Sequence, residues 1–151
     1  MQVKDILDDF HKHPLTINEN LTVGEAMKAL NKHKIGSLVV LDDSQSVSGI
    51  ITERDLMRMM NKFNCDIEGK KIKDFMSTDL IIGVPEDDLD YIAGLITQNR
   101  IRHIPIIDSE SNLCGIISIG DIVKVRLNQV EVENRHLREY ITGRAHLISE
   151  E

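Results

Sequence analysis

Two four-residue segments carry the residue types best suited to chemistry: Thr52-Glu53-Arg54-Asp55 and Ser118-Ile119-Gly120-Asp121. Each opens on a hydroxyl and closes on a carboxylate three positions later. A carboxylate offers two acceptor oxygens that match a pair of vicinal sugar hydroxyls. A hydroxyl where a strand gives way to a helix, beside the free N–H groups of the first turn, suits a phosphate. Arg54 adds a cation able to pair with phosphate oxygens. Gly120 stands at that position in the second segment, so the cation is missing there. The same spacing also makes a capping box, in which the hydroxyl caps the helix and the acid faces its positive end. One aspartate can do both jobs.

The elements that position these segments are duplicated. Gly49-Ile50-Ile51 precedes Thr52, and Gly115-Ile116-Ile117 precedes Ser118, 66 residues on. Residues 33–56 align with 99–122 without a gap, and Ile35/Ile101, Asp42/Asp108, Gly49/Gly115, Ile50/Ile116, Ile51/Ile117 and Asp55/Asp121 are identical. Apolar stripes at Val23, Ala26, Met27, Leu30 and at Leu89, Ile92, Ala93, Ile96 predict two equivalent helices. Strands are predicted at Ile35–Leu41 and Ile101–Ile107, each with a partner at Val47–Ile51 or Leu113–Ile117. Leu15-Thr16-Ile17 and Leu80-Ile81-Ile82 predict short extended pieces in front of the helices. Val3 to Phe10 reads as a short helix or turn, echoed by Ile72–Met76 at an offset of 69, so the copies differ by three residues around 11–14. Each repeat is thus strand, helix, strand, strand, helix. The expected division is 1–63, a polar linker 64–71, 72–127, and a C-terminal helix and tail 128–151, the helix stopping at Thr142-Gly143 and the tail beyond it loose.

Composition narrows the function. With 151 residues, the two repeats should share one core, since either alone would bury too little apolar surface. With no Trp, three Phe and two Tyr, that core must be aliphatic. A net charge of −7 with scattered basic residues argues against a nucleic-acid partner. Cys65 and Cys114 form no CxxC pair and are expected to be reduced and partly buried. The N-terminus lacks a signal-peptide apolar core, and no run approaches a membrane span, so a cytoplasmic, membrane-free protein is expected. His11-x-His13 has no third metal ligand nearby, Asp87-Asp88-x-Asp90 reads as an acidic helix start, and Met57, Met59 and Met60 read as interface packing. No metal site and no catalytic constellation is expected.

The tandem strand-helix-strand-strand-helix order, with apolar-apolar-[Ser/Thr]-x-x-Asp after a glycine turn, resembles a pair of CBS domains, the Bateman module. The resemblance covers about residues 1–127. It implies an α+β fold with pseudo-twofold symmetry, each repeat a small sheet against two helices, followed by a long C-terminal helix. It further implies two clefts that bind adenosine compounds (AMP, ADP, ATP, NAD or S-adenosylmethionine) without catalysis, and a homodimer in the form of a disc of four CBS units. The first cleft would be Thr16, Gly36, Ser37, Leu38, Thr52, Arg54 and Asp55. The second would be Ile82, Arg102, His103, Ile104, Pro105, Ser118, Gly120 and Asp121, with Arg102 and His103 standing in for the missing cation. The aspartates would hold the ribose, and Ile104-Pro105 would line the adenine. Two other readings remain: a ligand-free dimeric scaffold whose C-terminal helix docks a partner protein, and a small nucleotide-processing enzyme.

Overall fold

Each repeat is built from the same local instructions. In the computed structural model, which describes residues 1–10 and 14–149, the elements follow in the order α1 (Lys4–Phe10), β1 (Thr16–Asn18), α2 (Val23–His33), β2 (Ser37–Leu41), β3 (Val47–Thr52) and α3 (Glu53–Lys62). A 3-10 turn at Ile72–Asp74, α4 (Leu89–Asn99), β4 (His103–Ile107), β5 (Leu113–Ser118) and α5 (Ile119–Ser149) complete them. Thr22 and Glu25 form a capping box that starts α2, and Asp88 starts α4 by accepting from the Asp90 N–H at 2.8 Å. Both helices end on a basic residue in the left-handed conformation, Lys34 at φ 52° and Arg100 at φ 53°. The acidic run at 87–90 is therefore a helix start, as its spacing suggested.

The first sheet has the order β1-β2-β3, with β1 parallel and β3 antiparallel to β2. The second is only β4-β5. Its leading strand shrinks to one parallel bridge, Gly83 to Ile106, the equivalent of the Ile17–Val40 pairing in β1. Leu80-Ile81-Ile82 thus forms no strand. Glycine holds the position of Ile17, and a Cβ there would come within 2.8 Å of both Ile106 Cδ1 and Ile92 Cδ1.

The duplicated Asp42 and Asp108 close the hairpins. Asp42 Oδ1 accepts from the N–H groups of Ser44 (2.8 Å) and Ser46 (3.0 Å), and Asp108 Oδ1 accepts from Glu110 and Asn112, both at 2.9 Å. The Asn112 N–H above all holds the Asp108 carboxyl below the usual aspartate range.

The segments at the two offsets, 69 for the repeat openings and 66 for the helix starts, dock reciprocally. The N–H groups of Val3 and Lys4 donate to Asp87 O and Pro85 O, and that of Leu89 donates to Met1 O. In the other half, Ile72 and Lys73 donate to Leu21 O and Glu19 O, and Val23 donates to Lys70 O. Each repeat's opening segment is thereby stitched to the other repeat's helix start. Val3 and Ile72, at equivalent positions, are both fully buried.

The core is aliphatic, as composition requires: Ile17, Val23, Ala26, Leu30, Leu38, Val40, Ile51 and Ile72 meet in one cluster. Three expectations need correction. Ile67, placed in a polar linker, is buried in that cluster, and Lys70 folds its ammonium over the Phe63 ring at 4.1 Å. The three methionines differ in burial, Met59 in the core cluster, Met60 36% exposed and Met57 70% exposed. Cys65 is exposed rather than partly buried; Cys114 is half-buried, and burial together with the nearby Asp108 charge pushes its thiol pKa up. Finally, Thr142-Gly143 does not stop α5; Thr142 Oγ1 donates to Arg138 O at 2.7 Å and the helix continues to Ser149. One mid-helix glycine costs only about 1 kcal/mol against alanine, too little to end a helix of 31 residues. His11 and His13 lie outside the described residues; among those described, no cluster of three His, Cys, Asp or Glu could hold a metal. No described helix is long and apolar enough to cross a membrane. By chain contacts the molecule divides into two compact units, Met1–Ile117 and Ser118–Glu151.

Candidate functional site

The Thr52–Asp55 segment is where β3 becomes α3. Asp55 Oδ2 accepts from the Thr52 N–H at 2.9 Å and from Thr52 Oγ1 at 3.0 Å, and Asp55 N–H donates back to Thr52 Oγ1 at 3.2 Å. The copy matches bond for bond: Asp121 Oδ2 accepts from Ser118 N–H at 2.8 Å and Ser118 Oγ at 2.9 Å, and Asp121 N–H returns to Ser118 Oγ at 3.2 Å. Both segments are therefore complete capping boxes.

This geometry redistributes the expected roles. The single proton of the Thr52 hydroxyl goes to Asp55, so it is not available to a phosphate; the same holds for Ser118. The Glu53 N–H is taken by Gly36 O at 3.0 Å. What remains at the start of α3 is the outer oxygen of Asp55, Oδ1, which takes no hydrogen bond among the described residues, and the exposed Arg54 guanidinium, which makes no ion pair among them. The box fixes the carboxylate plane, so Oδ1 is held ready as an acceptor. That arrangement suits a hydroxyl or diol better than it suits a phosphate.

The other first-cleft candidates divide by strand alternation. Thr16 is exposed on β1, opposite Val39. Gly36 lies just before β2, where a Cβ would stand 3.6 Å from Glu53 Oε2 and 4.0 Å from His103 Cε1. Gly36, Glu53 and His103 are thus neighbours, which brings together one residue expected in each cleft. Ser37 is buried. Leu38 is 1% exposed in the core cluster, its side chain on the face opposite Ser37 and Val39. In the second copy Ile104 is buried in the same way. Pro105 is buried too, and its carbonyl accepts from Gly83 N–H at 2.9 Å. Ile82 is half-exposed beside that bridge, Arg102 is exposed, and His103 is half-buried at the start of β4. Gly120 is exposed, and a Cβ there would meet only Ser118 Oγ, at 3.6 Å.

Glu53 is the neighbour that sequence reading passed over. Its signal was present: it begins α3, where an acid is favoured, yet its partner Ile119 is apolar. A depression of about 430 Å³ lies elsewhere, lined by Thr22, Glu25, Lys28, Asn31 and Glu68 among others, and it contains none of the candidate residues.

The duplicated boxes, the reciprocal docking and the shared register describe one architecture, and comparison with known proteins gives it a family. The sequence model of the CBS domain matches residues 3–62 and 72–128. The chain belongs to the CBS-domain family. It is a tandem CBS pair of α+β fold with a long C-terminal helix. A mitochondrial CBS domain-containing protein, CBSX3 of Arabidopsis thaliana, is 36% identical over 126 residues, which cover 81% of this chain and 61% of that protein. The CBS domain-containing protein YhcV of Bacillus subtilis is 28% identical over 87% of this chain and 90% of its own length. The inosine-5'-monophosphate dehydrogenase of Methanocaldococcus jannaschii is 34% identical, but the match spans only 22% of that enzyme. Among solved structures, a CBS-domain containing protein from Agrobacterium tumefaciens superposes with a TM-score of 0.78 at 34% identity, covering 83% of this chain and 92% of that one. The CBS domain pair of protein MJ0100, solved with 5'-methylthioadenosine and S-adenosyl-L-methionine, superposes at 0.74 with 29% identity, covering 85% and 98%.

Proposed function

We propose that this CBS pair is a regulatory module that binds an adenosine-containing small molecule and releases it unchanged. The observation that carries the reading is the pair of capping boxes. In the first, the box occupies one oxygen of Asp55 and leaves the other open to a ribose hydroxyl beside the exposed Arg54. Thr16, Gly36 and Ser37 would border the base from β1 and the start of β2. In the second copy the same box holds Oδ2 of Asp121, and Gly120 stands in place of the cation. The 29%-identical MJ0100 pair, solved with two adenosine compounds, supports this ligand class. Regulation then follows only if the ligand binds one conformation of the protein better than another.

Isothermal titration and thermal shift with 5'-methylthioadenosine, S-adenosylmethionine, AMP, ATP and NAD test the proposal. A ligand at hundredfold excess over its dissociation constant stabilises the fold by about 2.7 kcal/mol. At least one adenosine compound should do so and be recovered intact. A second reading, a ligand-free scaffold, draws on the exposed apolar residues of α5. It predicts silence across the panel, and that result would displace the first reading.

A further inference from the structure

The helix α5 carries an apolar seam that begins in the second CBS repeat and runs on beyond it. Val123, Leu127, Val130, Leu137 and Ile141 are each 50–65% exposed, and Asn134, also exposed, falls in line with them. The spacings from 123 to 141 run 4, 3, 4, 3, 4. This is a heptad pattern, with Leu127, Asn134 and Ile141 at the a positions and Val123, Val130 and Leu137 at the d positions. The seam is about 27 Å long at 1.5 Å per residue. Ile122 and Val125, the buried residues of this helix, lie roughly 130° around it from the seam at about 100° per residue. The seam is therefore a second apolar face, separate from the one already covered.

The polar residues identify what would cover it. A lone Asn at an a position is satisfied when it meets the same Asn of a partner in parallel register, and it is costly opposite an apolar side chain. In that register the flanking g and e positions pair across the interface five residues apart. Arg126 then faces Glu131 of the second copy, and Glu133 faces Arg138 of the second copy. Both pairs are oppositely charged, and symmetry makes four attractive pairs. An antiparallel arrangement that centres the seam brings Glu131 against Glu131 and Lys124 against Arg138. We propose that α5 zips in parallel register against α5 of a second copy of this chain, with Asn134 fixing the register and the Arg126, Glu131, Glu133 and Arg138 charges fixing the orientation.

The test uses sedimentation of the full chain. The wild-type protein should sediment as a dimer. Leu127→Glu with Leu137→Glu should yield a monomer with an unchanged helical circular dichroism spectrum, since both side chains are exposed. A charge-swap set guards against nonspecific damage. One variant carries Arg126→Glu with Glu133→Arg, the other Glu131→Arg with Arg138→Glu. Each alone should dimerise roughly tenfold or more weakly, because every cross-pair becomes repulsive. Mixing the two should restore a heterodimer, because every cross-pair becomes attractive. A monomeric wild type, a dimer indifferent to the leucine substitutions, or no recovery on mixing would each overturn the proposal. Ligand titration reads the Asp55 proposal separately.

Discussion

Replacing Asp55 with alanine removes two things that can be measured apart. The first is the acid half of the capping box, with its bonds from Thr52 N–H at 2.9 Å and Thr52 Oγ1 at 3.0 Å. Losing these at a half-buried helix start costs about 1–2 kcal/mol. At about 2–4 °C per kcal/mol for a domain of this size, Tm should fall by about 2–8 °C. The second is the proposed acceptor for a ribose hydroxyl. A hydrogen bond to a charged group contributes about 1.5–3 kcal/mol, so the affinity for 5'-methylthioadenosine should fall about 10- to 150-fold. Free adenine, which has no ribose, should keep its affinity within about twofold, a change under 0.5 kcal/mol. Asp55→Asn separates the two effects. Its amide oxygen can refill the box and recover most of the Tm, while the lost charge leaves the ribose contact weak. Isothermal titration with both ligands and thermal melts of the three proteins give the answer. Equal weakening of methylthioadenosine and adenine, or none of either, would show that Asp55 is a helix cap and nothing more.

Further perturbations follow from named contacts. Asp121→Ala should repeat the Asp55 pattern on a second, independently titrating component, read by the same calorimetry. Gly49→Ala should destabilise by about 1–3 kcal/mol in urea melts, because the new Cβ would stand 2.5 Å from Met76 Sδ and 2.9 Å from the carbonyl of Ser77. Gly36→Ala meets nothing closer than 3.6 Å, so its melt should be unchanged while ligand affinity falls. Asp108→Ala should lower stability at neutral pH, and the gap to wild type should close as pH falls. The native carboxyl titrates below its unfolded value, so its contribution is present above the unfolded pKa and is lost as pH drops through the folded one. Alkylation mapped by mass spectrometry should modify the exposed Cys65 first, with Cys114 following only as pH rises past the range of an ordinary thiol.

Much of this fold was legible because it is written twice. The 66-residue offset placed α2 with α4, β2 with β4 and β3 with β5, and the hydroxyl-x-x-Asp pattern marked both helix starts. Two things escaped because they depend on partners distant in sequence. The docking of Val3 and Lys4 on 85–87, and of Ile72 and Lys73 on 19–21, left only an offset that changed from 66 to 69. Ile67 sat among polar neighbours, yet packing drew it into the core. Leu38 and Ile104 lie on the opposite strand face from Ser37 and Pro105, an alternation that the sequence itself carries. For Thr52 and Ser118 the sequence carries both a phosphate and a capping reading, and the hydrogen bonds realise the capping one, since each hydroxyl has one proton and the neighbouring aspartate takes it.

The most direct test of ligand binding is native mass spectrometry of the full chain mixed with 5'-methylthioadenosine and S-adenosylmethionine. An adduct of intact ligand mass, abolished by Asp55→Ala combined with Asp121→Ala, is the predicted result. Unliganded protein throughout, or an adduct that survives loss of both aspartates, would contradict it.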